Sequence, residues 1–287
     1  IARLDLPALT RWTANDIQPP LYYYLVAGWG QLAGWSEWAL RFPSAVFGVP
    51  AIPLLAAVAR RLLSPQSHDH EGVERSLTLP ALTETAKPAA HQSHDREGVN
   101  RSLAASLAAL LAAVHPLLVY YSQEARMYTL LVALGILIAY LLLRLADAPR
   151  RRWWLWAAYV LAAAAALYTH YFALFLLVGL GCAWLLELFQ RRGAEGAQSS
   201  QRRTEERRET RRASLWAFVL ANGAVALLYL PWAAVMLAQL RGDRSYWLGD
   251  LKLHEALLDV LVRFTSGETM NERTALWLLI AYGAVTL

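Results

Sequence analysis

The chain has 287 residues, 57% hydrophobic and 17% charged, with a formal net charge of +5 and a pI near 9.4. Its apolar residues lie in blocks of about 20 with the charges between them, and that length carries a helix across a bilayer core of roughly 30 Å. Disorder and an ordinary soluble domain are both excluded. The basic excess does not point to nucleic acid, because 25 of the 27 basic residues are Arg and most flank the apolar blocks, where they report membrane orientation.

In chain order, the first apolar stretch is 20–33, which starts behind Pro19 and carries Tyr22, Tyr23, Tyr24 and Trp29. It is short for a span and has the aromatic content of the headgroup layer. It is read as an interfacial helix within 1–41, the end of a first external loop. The rest, 42–287, is read as a transmembrane bundle of seven helices at 42–63, 103–121, 126–146, 153–168, 172–190, 215–237 and 274–287, the last truncated. Both ends of the chain, Ile1 and the short final block, are expected to continue into sequence beyond them. Polar inserts at 64–102 and 191–213 interrupt the bundle. The first contains a near-repeat, SHDHEGVERSL at 67–77 and SHDREGVNRSL at 93–103, with His68, His70, His91 and His94 nearby. With no Cys among them and a Pro, Ala, Ser and Glu content, the segment reads as a linker rather than a metal site. The second insert reads as a solvated cytoplasmic loop drawn to anionic headgroups. Cys182 stands alone in an apolar block, so no intrachain disulfide is expected.

Arg60 and Arg61, the run 150–152 and the stretch 191–212 alternate with the arginine-poor connections 122–125 and 169–171, which makes the first group cytoplasmic and the second external. If 20–33 crossed the membrane, every later helix would reverse. Span centres hold almost no ionisable groups; His115, followed by Pro116, reads as a kink, which argues against a coupled transporter. Polar groups collect on the outer side instead: Asp16, YSQEARMY at 121–128, YTHYF at 168–172 and the segment 241–273. Tyr120, Tyr121, Tyr168 and Tyr171 read as interfacial anchors. Glu124 and Arg126 sit two residues apart at a tight connection, where an acid and a planar donor fork suit a metal ligand beside a phosphate clamp. A simple structural ion pair stays open but is less favoured, since i, i+2 side chains on a helix do not face each other.

DIQPPLYYYL, SEWALRFPSAVFGV, HPLLVYYSQEARMYTLL, LYTHYFALFLL and LYLPW, in this order and over about 16–232, resemble the bacterial branch of the dolichyl-phosphate-mannose protein mannosyltransferase family. That family belongs to the GT-C glycosyltransferases and is similar to the lipid A aminoarabinose transferases. The resemblance implies an all-α polytopic membrane protein, a GT-C-type transmembrane helix bundle with an interfacial helix in an external loop. It implies inverting transfer of a sugar from a polyprenyl-phosphate donor to an acceptor on the external face of the plasma membrane, with donor and bilayer as partners and no nucleic acid. By the same resemblance Asp16 matches the polar position before the double proline and Glu124 the acidic residue of the second external loop, and Arg126, Tyr128 and His170 are expected to bind the donor phosphate or sugar; by their own chemistry Asp16 and Glu124 are candidate oxygen ligands of a divalent metal, Mg or Mn. The family's principal catalytic acid, usually in an Asp-Glu pair early in the loop, has no counterpart: Asp5 is the other carboxylate before Asp16 and lacks a neighbouring Glu. The general base is therefore expected upstream of Ile1, and this chain alone is expected to be an inactive fragment. Gln18 stands where many relatives have His. On the residues themselves, a non-catalytic polytopic protein that binds or moves lipid-linked sugars remains beside the enzyme reading.

Overall fold

The computed structural model describes residues 3–16, 18–63, 83–147, 153–190 and 201–242, together with Thr274, Trp277 and Ile280. Among these residues every regular element is an α-helix, the architecture of an all-α polytopic membrane protein. Helix α1 (Leu6–Asn15) starts on Asp5, whose Oδ1 accepts from the Ala8 amide at 2.8 Å. Helix α2 (Leu21–Ala33) opens behind the two prolines and closes on Gly34, where φ is +85° and the amide donates to Gly30 O at 3.0 Å. A side chain resists that backbone conformation; glycine does not. Helix α3 (Glu37–Leu62) is capped by Ser36, with Glu37 in its first turn and Arg60 and Arg61 in its last, the charge order that a helix dipole favours.

Helices α4 (Thr83–Val114) and α5 (Pro116–Ser122) follow, bent by 52° at His115. His115 is extended because the proline after it disfavours helical backbone, and Pro116 supplies no amide to carry the ladder across. Then come α6 (Tyr128–Asp147), α7 (Trp153–Thr169), α8 (Ala173–Gln190) and α9 (Gln201–Gly242). Three segments, Glu37–Leu62, Tyr128–Ala146 and Arg212–Gln239, are long and apolar enough to cross a membrane, and the bent pair Gly98–Val114 with Pro116–Ser122 makes up to four. Helices α7 and α8 are shorter apolar helices of 17 and 18 residues, about 26 Å at the usual rise. Each of the first six expected segments is helical, the second being broken at His115, while the seventh, 274–287, lies outside the described residues apart from the three named above.

Where the polar inserts are described, at 83–102 and 201–213, they are helical instead of the expected linker and loop. Helix α4 already runs from Thr83, and α9 runs unbroken from Gln201 into its apolar part. Ala, Glu, Gln and Arg are good helix formers, so an apolar helix beside such a stretch extends into it. Residues 64–82 and 191–200, with His68 and His70, lie outside the described residues, as do the side chains of His91 and His94.

The main core joins α6, α7, α8 and α9 through Ile138, Leu145, Tyr159, Ala163, Trp184 and Val225. Small residues are buried where helices meet, with Ala162, Ala163, Ala164 and Ala166 on α7 and Pro43, Ser44, Ala51 and Ala56 on α3. Large apolar side chains point outward, among them Leu161 at 66%, Phe175 at 72% and Leu220 at 70% exposure. In lipid no hydrophobic force draws helices together, so close backbone approach over small residues does that work. A second cluster, Tyr22, Val26, Met127 and Leu130, fixes α2 against the start of α6. Ser44 on α3 bonds to Arg126, the Tyr128 ring lies tilted 6.0 Å from that of His170, and Tyr171 bonds to Gln239 near the end of α9. The connections 123–127 and 170–172 and the junction of α1 with α2 therefore share one end of the bundle. Arg60, Arg61 and Arg144, in the last turns of α3 and α6, lie toward the opposite end.

Candidate active site

At the shared end, the connection between α5 and α6 leaves the helical path: the Arg126 amide donates to Glu124 O at 2.8 Å. This bend lets the two side chains meet, with Arg126 Nε 3.6 Å from Glu124 Oε2. The ion pair disfavoured for helical neighbours is present because residues 123–127 are not helical. Its weight is small. Arg126 is 60% exposed and Glu124 33%, and such pairs contribute about 0–1 kcal/mol, so a phosphate could displace the carboxylate from the guanidinium.

The backbone beneath is held more firmly. Ser44 Oγ donates to the Arg126 carbonyl at 3.1 Å and shares a 2.7 Å hydrogen bond with the Tyr22 hydroxyl. Ser44 is fully buried and Tyr22 nearly so. Burial pushes the Tyr22 phenol up to about 12, partly offset by the bond to Ser44, with Tyr23 adding a smaller upward push. An exposed cation on a locked backbone results. Partial desolvation pulls the Arg126 guanidinium down, but the hydrogen bond to Tyr128, followed by the charges of Tyr128, Glu124 and Tyr120, turns the balance upward.

Tyr23 lies within the field of both Arg126 and Asp16. Burial raises its phenol, the Asp16 charge raises it further with Tyr128, and Arg126 lowers it. Both charged groups thus act on one ring. Asp16 also raises Tyr171, after burial and against the lowering effect of the Trp232 bond. Trp12 meets Tyr23 edge-on at 5.4 Å, and Tyr121 lies 4.5 Å from the Tyr128 ring. On the other flank, His170 is 6.0 Å from the Tyr128 ring and 4.9 Å from that of Phe172. Its Nδ1 accepts from the Phe172 amide at 3.1 Å, which leaves the proton of the neutral ring on Nε2, and burial lowers its pKa. Gln18 has a buried Oε1 without a hydrogen-bond partner among the described residues.

The structure thus brings Arg126, Glu124 and Tyr128 together, sets His170 beside the Tyr128 ring, and holds Asp16 at the same end through Gln239 and Tyr171. Among the described residues no group of three or more His, Cys, Asp and Glu side chains gathers around a common point. Below Tyr171, a groove of about 420 Å³ runs between α7, α8 and α9 past Leu174, Val178, Cys182, Phe218 and Tyr229. A second, of about 410 Å³, lies between α2 and α3 along Tyr24, Trp29, Phe42 and Phe47. The sequence reading missed Tyr23, Ser44 and Gln239. Tyr23 sat inside an aromatic run that also suits an interface, and nothing in the sequence distinguishes Ser44 or Gln239. Tyr168 and Tyr171, read as anchors, turn their hydroxyls to α9, onto Leu228 O at 3.0 Å and onto Gln239.

Residues 91–241 match the family model described as Dolichyl-phosphate-mannose-protein mannosyltransferase. No curated protein and no solved structure matches the chain.

Proposed function

The chain belongs to the dolichyl-phosphate-mannose-protein mannosyltransferase family, and on that premise we propose that it moves a sugar from a polyprenyl-phosphate donor to an acceptor on the external face of the cell membrane. The family is one of membrane glycosyltransferases with lipid-linked sugar donors; the donor, the side and the residues are our reading. In the reaction an acceptor hydroxyl oxygen attacks the anomeric carbon from the face opposite the phosphate. The bond from that carbon to the phosphate oxygen breaks, polyprenyl phosphate leaves with the electron pair, and configuration inverts. The hydroxyl proton passes to a carboxylate base in the external loop.

The observation that carries this reading is Arg126, whose side chain is 60% exposed, on a backbone fixed by Ser44 and Tyr22. A planar fork held that way suits two phosphate oxygens at once and stabilises the charge that develops as phosphate departs. Tyr128 steadies it. His170, fixed with its proton on Nε2, offers a donor to a phosphate or sugar oxygen, and the orphan Oε1 of Gln18 offers an acceptor to a sugar hydroxyl. The apolar groove below Tyr171 suits a prenyl chain. As to the metal, Asp16 and Glu124 are hard oxygen donors, and Mg²⁺ is commonly held by one or two carboxylates and completed by substrate phosphate and water. A cation held by these two carboxylates would supply further neutralisation of the leaving phosphate.

The test compares Arg126→Ala with Arg144→Ala in the intact protein, following release of polyprenyl phosphate from decaprenyl-phosphate mannose in membranes that hold the native acceptor. Loss of a donor at the developing charge costs about 100-fold or more in turnover. Arg144 lies at the opposite end with its guanidinium on the Tyr140 hydroxyl at 2.9 Å, and its removal leaves turnover within about twofold. Equal effects would end the phosphate role.

A further inference from the structure

Near its end, α9 carries a hydrogen-bond relay that the reaction above leaves unused. Gln239 Nε2 directs its two hydrogens at three backbone carbonyls where α1 stops, one hydrogen being shared: Thr13 at 3.1 Å, Ala14 at 3.0 Å, and Asp16. Gln239 Oε1 accepts from the Tyr171 hydroxyl, whose oxygen in turn accepts from Trp232 Nε1 at 3.2 Å. The donors run one way, from Trp232 to Tyr171 to Gln239 to α1. A helix leaves its last carbonyls short of partners of its own; at the end of α1 the Thr13 carbonyl accepts from the Asp16 amide at 3.3 Å, and no basic residue stands in the last turn to serve the others. Gln239 serves them from more than 200 residues away. Only a group that accepts at one atom and donates at its neighbour completes both halves. A carboxylate would face three carbonyl oxygens, and a thioether of similar length would donate nothing.

We propose that Gln239 is a positioning residue: with Tyr171 it latches the end of α1 to the bundle and so sets where Asp16 stands relative to Arg126. Its effect on rate rests on the glycosyl-transfer reading; the latch itself does not. Asp16 begins one residue beyond α1, so a shift of that helix end moves its carboxylate directly. Thr13 is fully buried at the contact. A second polar tie of α1, between the Thr10 and Tyr24 hydroxyls at 2.7 Å, goes to α2 and fixes α1 to another segment of the same loop. Tyr171 also lines the top of the apolar groove, so one side chain borders both the latch and the channel suited to the lipid tail.

The experiment uses the intact protein in detergent, with Cys182→Ala and Thr13→Cys, and reads the rate of maleimide labelling. The buried thiol labels slowly in this parent. Gln239→Met, Gln239→Glu and Tyr171→Phe are each expected to raise the rate by about tenfold or more, since the helix end then opens locally. Ala163→Cys, fully buried in the core of α7, stays protected in all three if the bundle is intact, and a variant that exposes it is replaced by the milder Tyr171→Phe. In membranes with decaprenyl-phosphate mannose, turnover falls about tenfold or more while KM for the donor stays within about twofold, because a displaced Asp16 no longer places its cation against the charge that develops only as phosphate departs. Unchanged labelling in Gln239→Met and Tyr171→Phe overturns the latch. Faster labelling with unchanged turnover overturns the positioning role. A parent that labels as expected but never turns over the probe counts against glycosyl transfer, and the latch is then decided by labelling alone.

Discussion

His170 shows how a single connection residue acquires a defined chemical state. The Phe172 amide donates to its Nδ1, and burial lowers its pKa from the ordinary 6.5. Protonation would turn Nδ1 from acceptor into donor against an N–H that is already a donor, so folding favours the neutral ring. The folded protein thus binds fewer protons here than the unfolded chain. Stability from this group is fully present above pH 6.5 and is lost as pH falls through the lower folded value. Thermal unfolding in detergent from pH 8 to pH 5 should show a falling Tm, and His170→Gln should flatten that fall; an unchanged slope would remove His170 from the account. The sequence offered the His170 position but not this state, because the tautomer depends on an amide two residues on. The same holds for Glu124 and Arg126, legible as a pair of interest, while their contact arises from a backbone bend that spacing does not announce. Gln239 was not legible at all: a glutamine near the end of an apolar helix becomes meaningful only when α1, over 200 residues earlier, folds beside it.

At the scale of elements, hydropathy located the apolar helices because lipid leaves a helix little choice about its length. It did not show the ends of α4 and α9, since polar helix formers continue a helix as readily as they form a loop. The return from α2 to α3 depends on a contact that hydropathy also misses. A Cβ added at Gly30 would fall on the Trp35 ring, well inside contact distance, whereas one added at Gly28 meets nothing within 4 Å. Trp29 reinforces this corner, with its Nε1 donating to Ala39 O at 2.9 Å and its ring stacked 5.0 Å from Phe42. Gly30→Ala must displace the indole, an overpacking cost of about 1–3 kcal/mol, while Gly28→Ala gains helix propensity of roughly 0.5–1 kcal/mol. Melting of the two purified variants should therefore move in opposite directions from the parent. A Gly30→Ala protein as stable as Gly28→Ala would show that Trp35 is not seated against α2.

For the whole molecule, the governing relation is between charge and end. The structure collects Asp16, Glu124, Arg126 and His170 at one end and directs Arg60, Arg61 and Arg144 toward the other. A bundle has two possible orientations in a bilayer, and packing does not choose between them; arginine placement does, through the preference for basic connections on the cytoplasmic side. Glu209 and Gln239 lie on the same helix, 30 residues apart, about 45 Å along its axis, so the basic start of α9 and the latch belong on opposite sides of one membrane. In a Cys182→Ala background, Gln123→Cys sits in an exposed connection at the Asp16 end and Glu209→Cys on an exposed part of the α9 extension. An impermeant maleimide applied to intact cells should label Gln123→Cys and reach Glu209→Cys only after the membrane is opened. The reversed pattern would place the candidate site inside the cell and end the proposal of external transfer, and labelling of both in intact cells would contradict a span between them.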